Sequence, residues 1–208
     1  MTKCQSEIMK NVTFNALLLT IVLLLIGATF TVILSYFIKP SLFWHKDLIQ
    51  LISLSAGLLS VLIITKSTSL LWQFFRKAGD IKPYHLYLLL FFIAINLLLH
   101  YLTNDSSNTA AGTTKIRLLQ MFLIIPVLEE LVFRGVFQSR ITKSYNWRVG
   151  VLVSSLLFMF IHYGELDYML FCFIFSVFAG YLYYKTDSLL LCVMYHIAVN
   201  IGIFLLNN

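Results

Sequence analysis

Two adjacent glutamates and one arginine stand out within a strongly apolar segment of the chain. Glu129 and Glu130 follow the apolar run Leu-Ile-Ile-Pro-Val-Leu, and Arg134 comes four residues after Glu130. Residues four apart share a helix face, so Glu130 is placed to pair with Arg134, whereas Glu129 points about 100° away. Glu129 is therefore the carboxylate left for chemistry, unless the three residues serve only to lock the packing of helices.

Two later apolar segments carry one imidazole each. His162 follows Phe158 by four residues and Asn200 follows His196 by four, so each pair shares a helix face. Either pair alone is also explained by hydrogen bonds between neighbouring helices. Together with Glu129 they suggest a hydrolase, because a carboxylate beside an imidazole can activate water. An imidazole or an amide can also donate to an oxyanion.

The segments around these residues predict a membrane protein. The chain is 60% hydrophobic and only 12% charged, whereas a soluble domain has about a quarter charged residues. Because lipid demands internal backbone pairing, we expect an all-α fold, a polytopic transmembrane helical bundle of about seven spans. The predicted spans are 13–38, 49–65, 84–103, 116–140, 147–163, 168–184 and 188–206. A short amphipathic helix at 70–77 is expected to lie in the membrane interface.

The distribution of basic residues predicts the orientation of the chain. Connections on one side of the predicted spans carry ten Lys and Arg, and those on the other side carry four. This bias places the N-terminus in the cytoplasm. The net charge of +6 is explained by topology, so no nucleic-acid partner is expected. Cys172 and Cys192 lie in apolar spans as small packing residues.

The predicted spans leave two points of geometry open: a bend in one helix and the depths of three polar side chains. Pro126 removes one helix hydrogen bond and predicts a bend just before the two acids. Measured from the predicted cytoplasmic ends, Glu129, His162 and His196 differ in depth by about 10 Å. Helix tilt or shifted boundaries must therefore bring these side chains together.

The three motifs in order resemble those of the CPBP family of intramembrane proteases. That family comprises CAAX proteases and bacteriocin-processing (Abi) proteins, and is similar to the Ras-converting enzyme. The resemblance covers roughly residues 116–204 and implies peptide-bond hydrolysis in an intramembrane cavity. It implies that Glu129 and His162 activate water, and that His196 and Asn200 stabilise the oxyanion. The remaining motif residues would support the site: Glu130, Arg134 and Phe158.

The cofactor is left open between two chemistries. A zinc ion held by Glu129, His162 and His196 is one of them, since carboxylate and imidazole are usual zinc ligands. A metal-free glutamate mechanism is the other. Asn200 favours the second slightly, because a neutral amide is a poor zinc ligand but a good hydrogen-bond donor.

The favoured function is an intramembrane endopeptidase of a bacterial cell membrane, acting on a CAAX-like or small secreted peptide. The alternative is a non-catalytic protein of bacteriocin immunity that binds a peptide or membrane protein. A transporter ranks last, because no internal repeat is visible. We expect one integrated membrane domain, with N-terminal helices in 1–115 and the catalytic core in 116–208. The expected partners are the lipid bilayer and a peptide substrate; the sequence leaves the oligomeric state undetermined.

Overall fold

The computed structural model describes residues 81–103 and 115–207. The predicted spans 13–38 and 49–65 and the interfacial helix at 70–77 lie outside the described residues. The division at residue 115 also stays a prediction.

Five helices make up the described residues, and no strand occurs among them. We number them α1 to α5, where α2 is an unbroken helical run over residues 115–144 and the other four are α1 (Pro83–Thr103), α3 (Trp147–Ile161), α4 (Leu166–Thr186) and α5 (Leu189–Leu206). Each matches one of the last five predicted spans to within a few residues. The all-helical prediction is confirmed for this part of the chain.

Three of the helices are long and apolar enough to cross a membrane. They are α1 over Pro83–Leu102, α4 and α5. Helix α3 is apolar but shorter, and α2 is divided by π-helical turns. The chain is a multi-pass membrane protein, and the count of seven spans stays a prediction.

Polar side chains define where the helices begin and end. Asn146 starts α3 by accepting a hydrogen bond from the Val149 N–H at 3.0 Å, and Ser188 starts α5 by accepting one from Leu191. Between α4 and α5, Asp187 adopts a left-handed backbone conformation with φ of 48°, and its N–H closes α4 on Tyr183. These short turns make α3, α4 and α5 successive antiparallel neighbours.

Helix α2 consists of alternating α-helical and π-helical turns. Its segments are Lys115–Leu119, Gln120–Ile124 (π), Ile125–Glu130, Leu131–Gln138 (π) and Ser139–Ser144. The first π turn lies just before Pro126, where the sequence predicts a distortion, and the second begins directly after Glu130. Wide turns of this kind often occur at functional sites.

The core surrounds the second π turn of α2. Val132 and Phe133 of this turn are almost completely buried, as are Ala179 of α4 and Val199 of α5. Helix α1 packs against α4 and α5 and runs parallel to α5, because His100 near its end bonds Asn207 just beyond the end of α5. The acidic motif therefore lies inside the bundle.

Candidate active site

Glu130 and Arg134 form a buried ion pair on one face of α2. Arg134 Nε lies 3.1 Å from Glu130 Oε2, and neither side chain has any solvent exposure. The guanidinium reaches across to α4, where its Nη2 donates to both the carbonyl and the hydroxyl oxygen of Ser176, at 3.0 Å each. The predicted pairing is present, and it also joins α2 to α4.

Glu130 has a second partner that the sequence did not indicate. Its Oε1 lies 2.9 Å from Nδ1 of His196 on α5. Because a carboxylate paired with an arginine accepts hydrogen bonds, the imidazole nitrogen donates this one. Glu130 thereby fixes the orientation of the His196 ring and directs its Nε2 towards Glu129.

His162 lies at the carboxyl end of α3, in the position that closes the helix. Its Nδ1 is 2.9 Å from the carbonyl oxygen of Phe158, and since a carbonyl only accepts, Nδ1 carries the hydrogen. The ring also stacks on Phe158, with centroids 4.2 Å apart. In its neutral form His162 therefore presents an unprotonated Nε2.

The carboxylate of Glu129 lies between the two imidazoles. Oε1 is 3.8 Å from His162 Nε2, and Oε2 is 3.8 Å from His196 Nε2. The side chain is 5% exposed. Within the described residues Oε2 has no hydrogen-bond partner, and no Lys or Arg forms an ion pair with Glu129. A buried carboxylate without a cation is costly, so this position is typical of a functional group.

Phe158 is the aromatic residue at the centre of the site. Besides His162 it contacts the ring of Phe133 at 5.1 Å and that of Phe175 at 5.6 Å. The guanidinium of Arg134 lies over its face, 5.3 Å from the centroid. The cation–π contact thus places an aromatic face against the fully buried ion pair.

Asn200 lies one turn beyond His196 on α5 and bonds to α2. Its Nδ2 donates to the carbonyl oxygen of Met121 at 2.8 Å. That carbonyl lacks a helical donor for a specific reason: the Ile125 N–H bonds Gln120 instead, and the next residue, Pro126, has no N–H. Asn200 thus takes the place of the missing helical donor.

Part of the chain is similar to a known protein family. Residues 111–202 match the family model of the type II CAAX prenyl endopeptidases, described as Rce1-like. We call residues 111–202 the Rce1-like domain, because this segment is similar to that family. The resemblance stated from the three motifs is confirmed, and all seven motif residues lie within the matched segment. Neither the curated proteins nor the solved structures gave a match to the chain.

The Rce1-like domain also contains polar contacts that sequence reasoning missed. Gln138 of α2 donates to the Gly180 carbonyl of α4 at 2.7 Å, one turn along from the contact between Arg134 and Ser176. Ser176 and Gly180 are spaced by four in an apolar helix. Small residues at this spacing are a known signal for close helix packing, so the sequence did contain a hint of this interface.

The candidate metal ligands of the Rce1-like domain do not converge on one point, as a metal ion requires. Among the described residues, no group of three or more His, Cys, Asp or Glu side chains is arranged to hold one. The two imidazole nitrogens face different oxygens of Glu129, each at 3.8 Å, and do not point to one position that a metal ion could occupy. The arrangement thus does not fit a zinc site, and the chemistry below uses the side chains alone.

Proposed function

We propose that this protein is an intramembrane endopeptidase in which Glu129 is the general base. The observation that carries the proposal is the position of the Glu129 carboxylate, buried, without a cation and between two imidazole nitrogens. The family description supports a substrate of the CAAX type, a peptide ending in a prenylated cysteine and three further residues. The cleaved bond would be the one that follows the modified cysteine.

The site residues divide naturally into water activation and oxyanion binding. Glu129 removes a proton from a water that also donates to His162 Nε2, and the water oxygen then bonds to the scissile carbonyl carbon. The proton moves from Glu129 to the peptide nitrogen as the carbon–nitrogen bond breaks. The products are a carboxylic acid and an amine, which exchange one proton to become a carboxylate and an ammonium, so no other reactant is needed.

The direction of its ring supports His196 as the oxyanion donor. Its Nδ1 donates to Glu130, which leaves Nε2 facing the Glu129 carboxylate at 3.8 Å. An N–H at Nε2 would donate to the oxyanion that forms beside Glu129. Asn200 keeps α5 against α2 through one N–H, and its second N–H is the donor that we assign beside His196.

Exposure supports an entrance at the turn between α3 and α4. The side chain of His162 is 21% exposed, whereas those of Glu129 and His196 are 5% and 6% exposed. A substrate entering an intramembrane cavity would therefore meet His162 first. Tyr168, half exposed in the first turn of α4, lies beside this entrance with its ring 6.3 Å from that of His162.

The decisive experiment compares Glu129→Gln with Glu165→Gln in purified protein in nanodiscs. The probe is a farnesylated peptide with a C-terminal tripeptide, and the released tripeptide is measured by mass spectrometry. Loss of the base should lower kcat by about 10²- to 10⁴-fold. Glu165 is exposed in the turn before α4, at the proposed entrance but outside the group of reacting side chains, so its change should leave kcat intact. Full cleavage by Glu129→Gln refutes the proposed role, and binding without cleavage by the wild type indicates a non-catalytic protein.

Metal removal tests the chemistry of the site separately. We expect full hydrolysis after dialysis against a strong chelator, with no zinc retained at stoichiometric amount by elemental analysis. Activity that is lost on chelation and restored by zinc alone would show that a metal takes part in the reaction.

A further inference from the structure

A buried asparagine on α1 bonds the residue next to His196. Asn96 Nδ2 lies 2.6 Å from the hydroxyl oxygen of Tyr195 on α5 and 2.9 Å from the Phe92 carbonyl. Asn96 and Tyr195 are both completely buried. Because the Phe92 carbonyl only accepts, the amide nitrogen must face it, and the amide orientation is therefore determined. Both N–H groups of Asn96 are thus used.

This asparagine is unusual in its surroundings. It interrupts an apolar run that can cross a membrane, and α1 lies outside the segment matched by the family model, residues 111–202. Its Oδ1 is buried without a hydrogen-bond partner among the described residues. A buried polar group in a membrane span is costly, so we expect the side chain of Asn96 to have a specific structural or functional role.

The contacts of Tyr195 lead directly to the imidazole of His196. The Tyr195 ring stacks on Phe175 of α4, with centroids 4.9 Å apart and planes 9° apart. The Phe175 ring in turn packs edge-on against His196, with centroids 4.6 Å apart. His196 is therefore held by Glu130 through its Nδ1 and by Phe175 against its ring. The position of Phe175 depends on Tyr195, whose hydroxyl is held by Asn96.

We propose that Asn96 is a positioning residue of the active site, which holds His196 in its reactive orientation through Tyr195 and Phe175. Helix α1 is then part of the catalytic unit although it lies outside the Rce1-like domain. This inference rests on the proposed function for its effect on catalysis. The link from Asn96 to the His196 ring can be measured without any substrate.

The same two helices provide a matched control. His100 lies four residues after Asn96 on α1, and its Nε2 is 3.3 Å from Asn207 Oδ1. Asn207 is eleven residues beyond His196, about 16 Å along a helix. His100→Leu therefore removes a contact between the ends of α1 and α5 far from the site, whereas Asn96→Leu removes one beside it.

The kinetic experiment compares the two variants with the farnesylated peptide. Asn96→Leu and Tyr195→Phe should each lower kcat about two- to tenfold, the equivalent of one net hydrogen bond, without changing KM. The double variant should lose no more than either single variant, because one interaction is removed in all three. His100→Leu should keep the wild-type kcat. An equal kcat in Asn96→Leu and His100→Leu, or fully additive losses, would overturn the proposal.

A spectroscopic experiment reads the same link independently of activity. The protein is labelled with ¹⁵N-histidine in nanodiscs, and the His196 ring signals are assigned by their loss in His196→Gln. Asn96→Leu should shift or broaden these signals, whereas His100→Leu should leave them in place. Unchanged His196 signals in Asn96→Leu would refute the positioning role. If the wild type cleaves no peptide while the signals respond as expected, only the proposed function fails.

Discussion

Glu129 and Glu130 are adjacent in the chain but have entirely different neighbours. Glu130 is bound by Arg134 and by Nδ1 of His196, whereas Glu129 has neither an arginine nor a hydrogen bond to its Oε2 within the described residues. Helical spacing predicted the pairing of Glu130 with Arg134. It could not predict the bond to His196, because the packing of α5 on α2 determines that contact.

This difference predicts opposite effects on stability for the two glutamates. Glu130→Gln leaves the buried guanidinium of Arg134 without its carboxylate, and should lower the free energy of unfolding by about 3–5 kcal/mol. Glu129→Gln removes an uncompensated buried charge and should leave stability equal or higher. Thermal unfolding of both variants in the same detergent checks this. Equal midpoints for the two would contradict the assignment of the ion pair.

The distortion of α2 is the main feature at the scale of the elements. The Gln120–Ile124 π turn and Pro126 together leave the Met121 carbonyl without a helical donor, and Asn200 bonds it from α5. Pro126 alone indicated a bend. The π turns themselves were not predictable, since they depend on the contacts of α2 with its neighbours.

Pro126→Ala is the variant that tests this arrangement. Alanine restores an N–H that can bond the Met121 carbonyl within the helix, and it is about 3 kcal/mol more favourable than proline in a helix interior. We expect stability to be unchanged or higher while kcat falls, because Asn200 loses its partner. Pro83→Ala is the control, since the N–H of the first residue of α1 needs no helical acceptor. An unchanged kcat in Pro126→Ala would show that the π turn does not position the site.

At the scale of the whole molecule, charge is distributed unevenly between the two ends of the helices. The turns that join α2 to α3 and α4 to α5 contain or adjoin Lys143, Arg148 and Lys185. The turn between α3 and α4 carries Glu165 and no lysine or arginine. Trp147 and Tyr184 stack at the basic end, with centroids 4.4 Å apart, as aromatic residues do at membrane interfaces.

This distribution predicts that the basic end of the bundle, with the turn between α2 and α3, faces the cytoplasm. In a variant without its three native cysteines, a cysteine at Asn146 should react with a membrane-impermeant maleimide only after the membrane is opened. A cysteine at Glu165 should react in intact cells, because that turn lies at the opposite end. The reverse pattern would show that the predicted orientation, with a cytoplasmic N-terminus, is wrong.

The sequence alone determined the elements and the identity of the motif residues. Apolar runs between polar breaks specified α1 to α5 to within a few residues, since lipid leaves helices as the only choice for such segments. Spacing by four specified the partner of Arg134, and the order of the three motifs specified the family. These properties are local along the chain and therefore readable from it.

Tertiary structure alone decided which groups meet. Simple counting along the spans separated Glu129, His162 and His196 by about 10 Å in depth, yet both imidazoles lie 3.8 Å from one carboxylate. The bond of Asn96 to Tyr195 joins residues 99 positions apart, and that of Glu130 to His196 joins residues 66 apart. Such contacts depend on helix direction, packing and side-chain rotamers together. The periodicity of the sequence therefore does not predict any one of them.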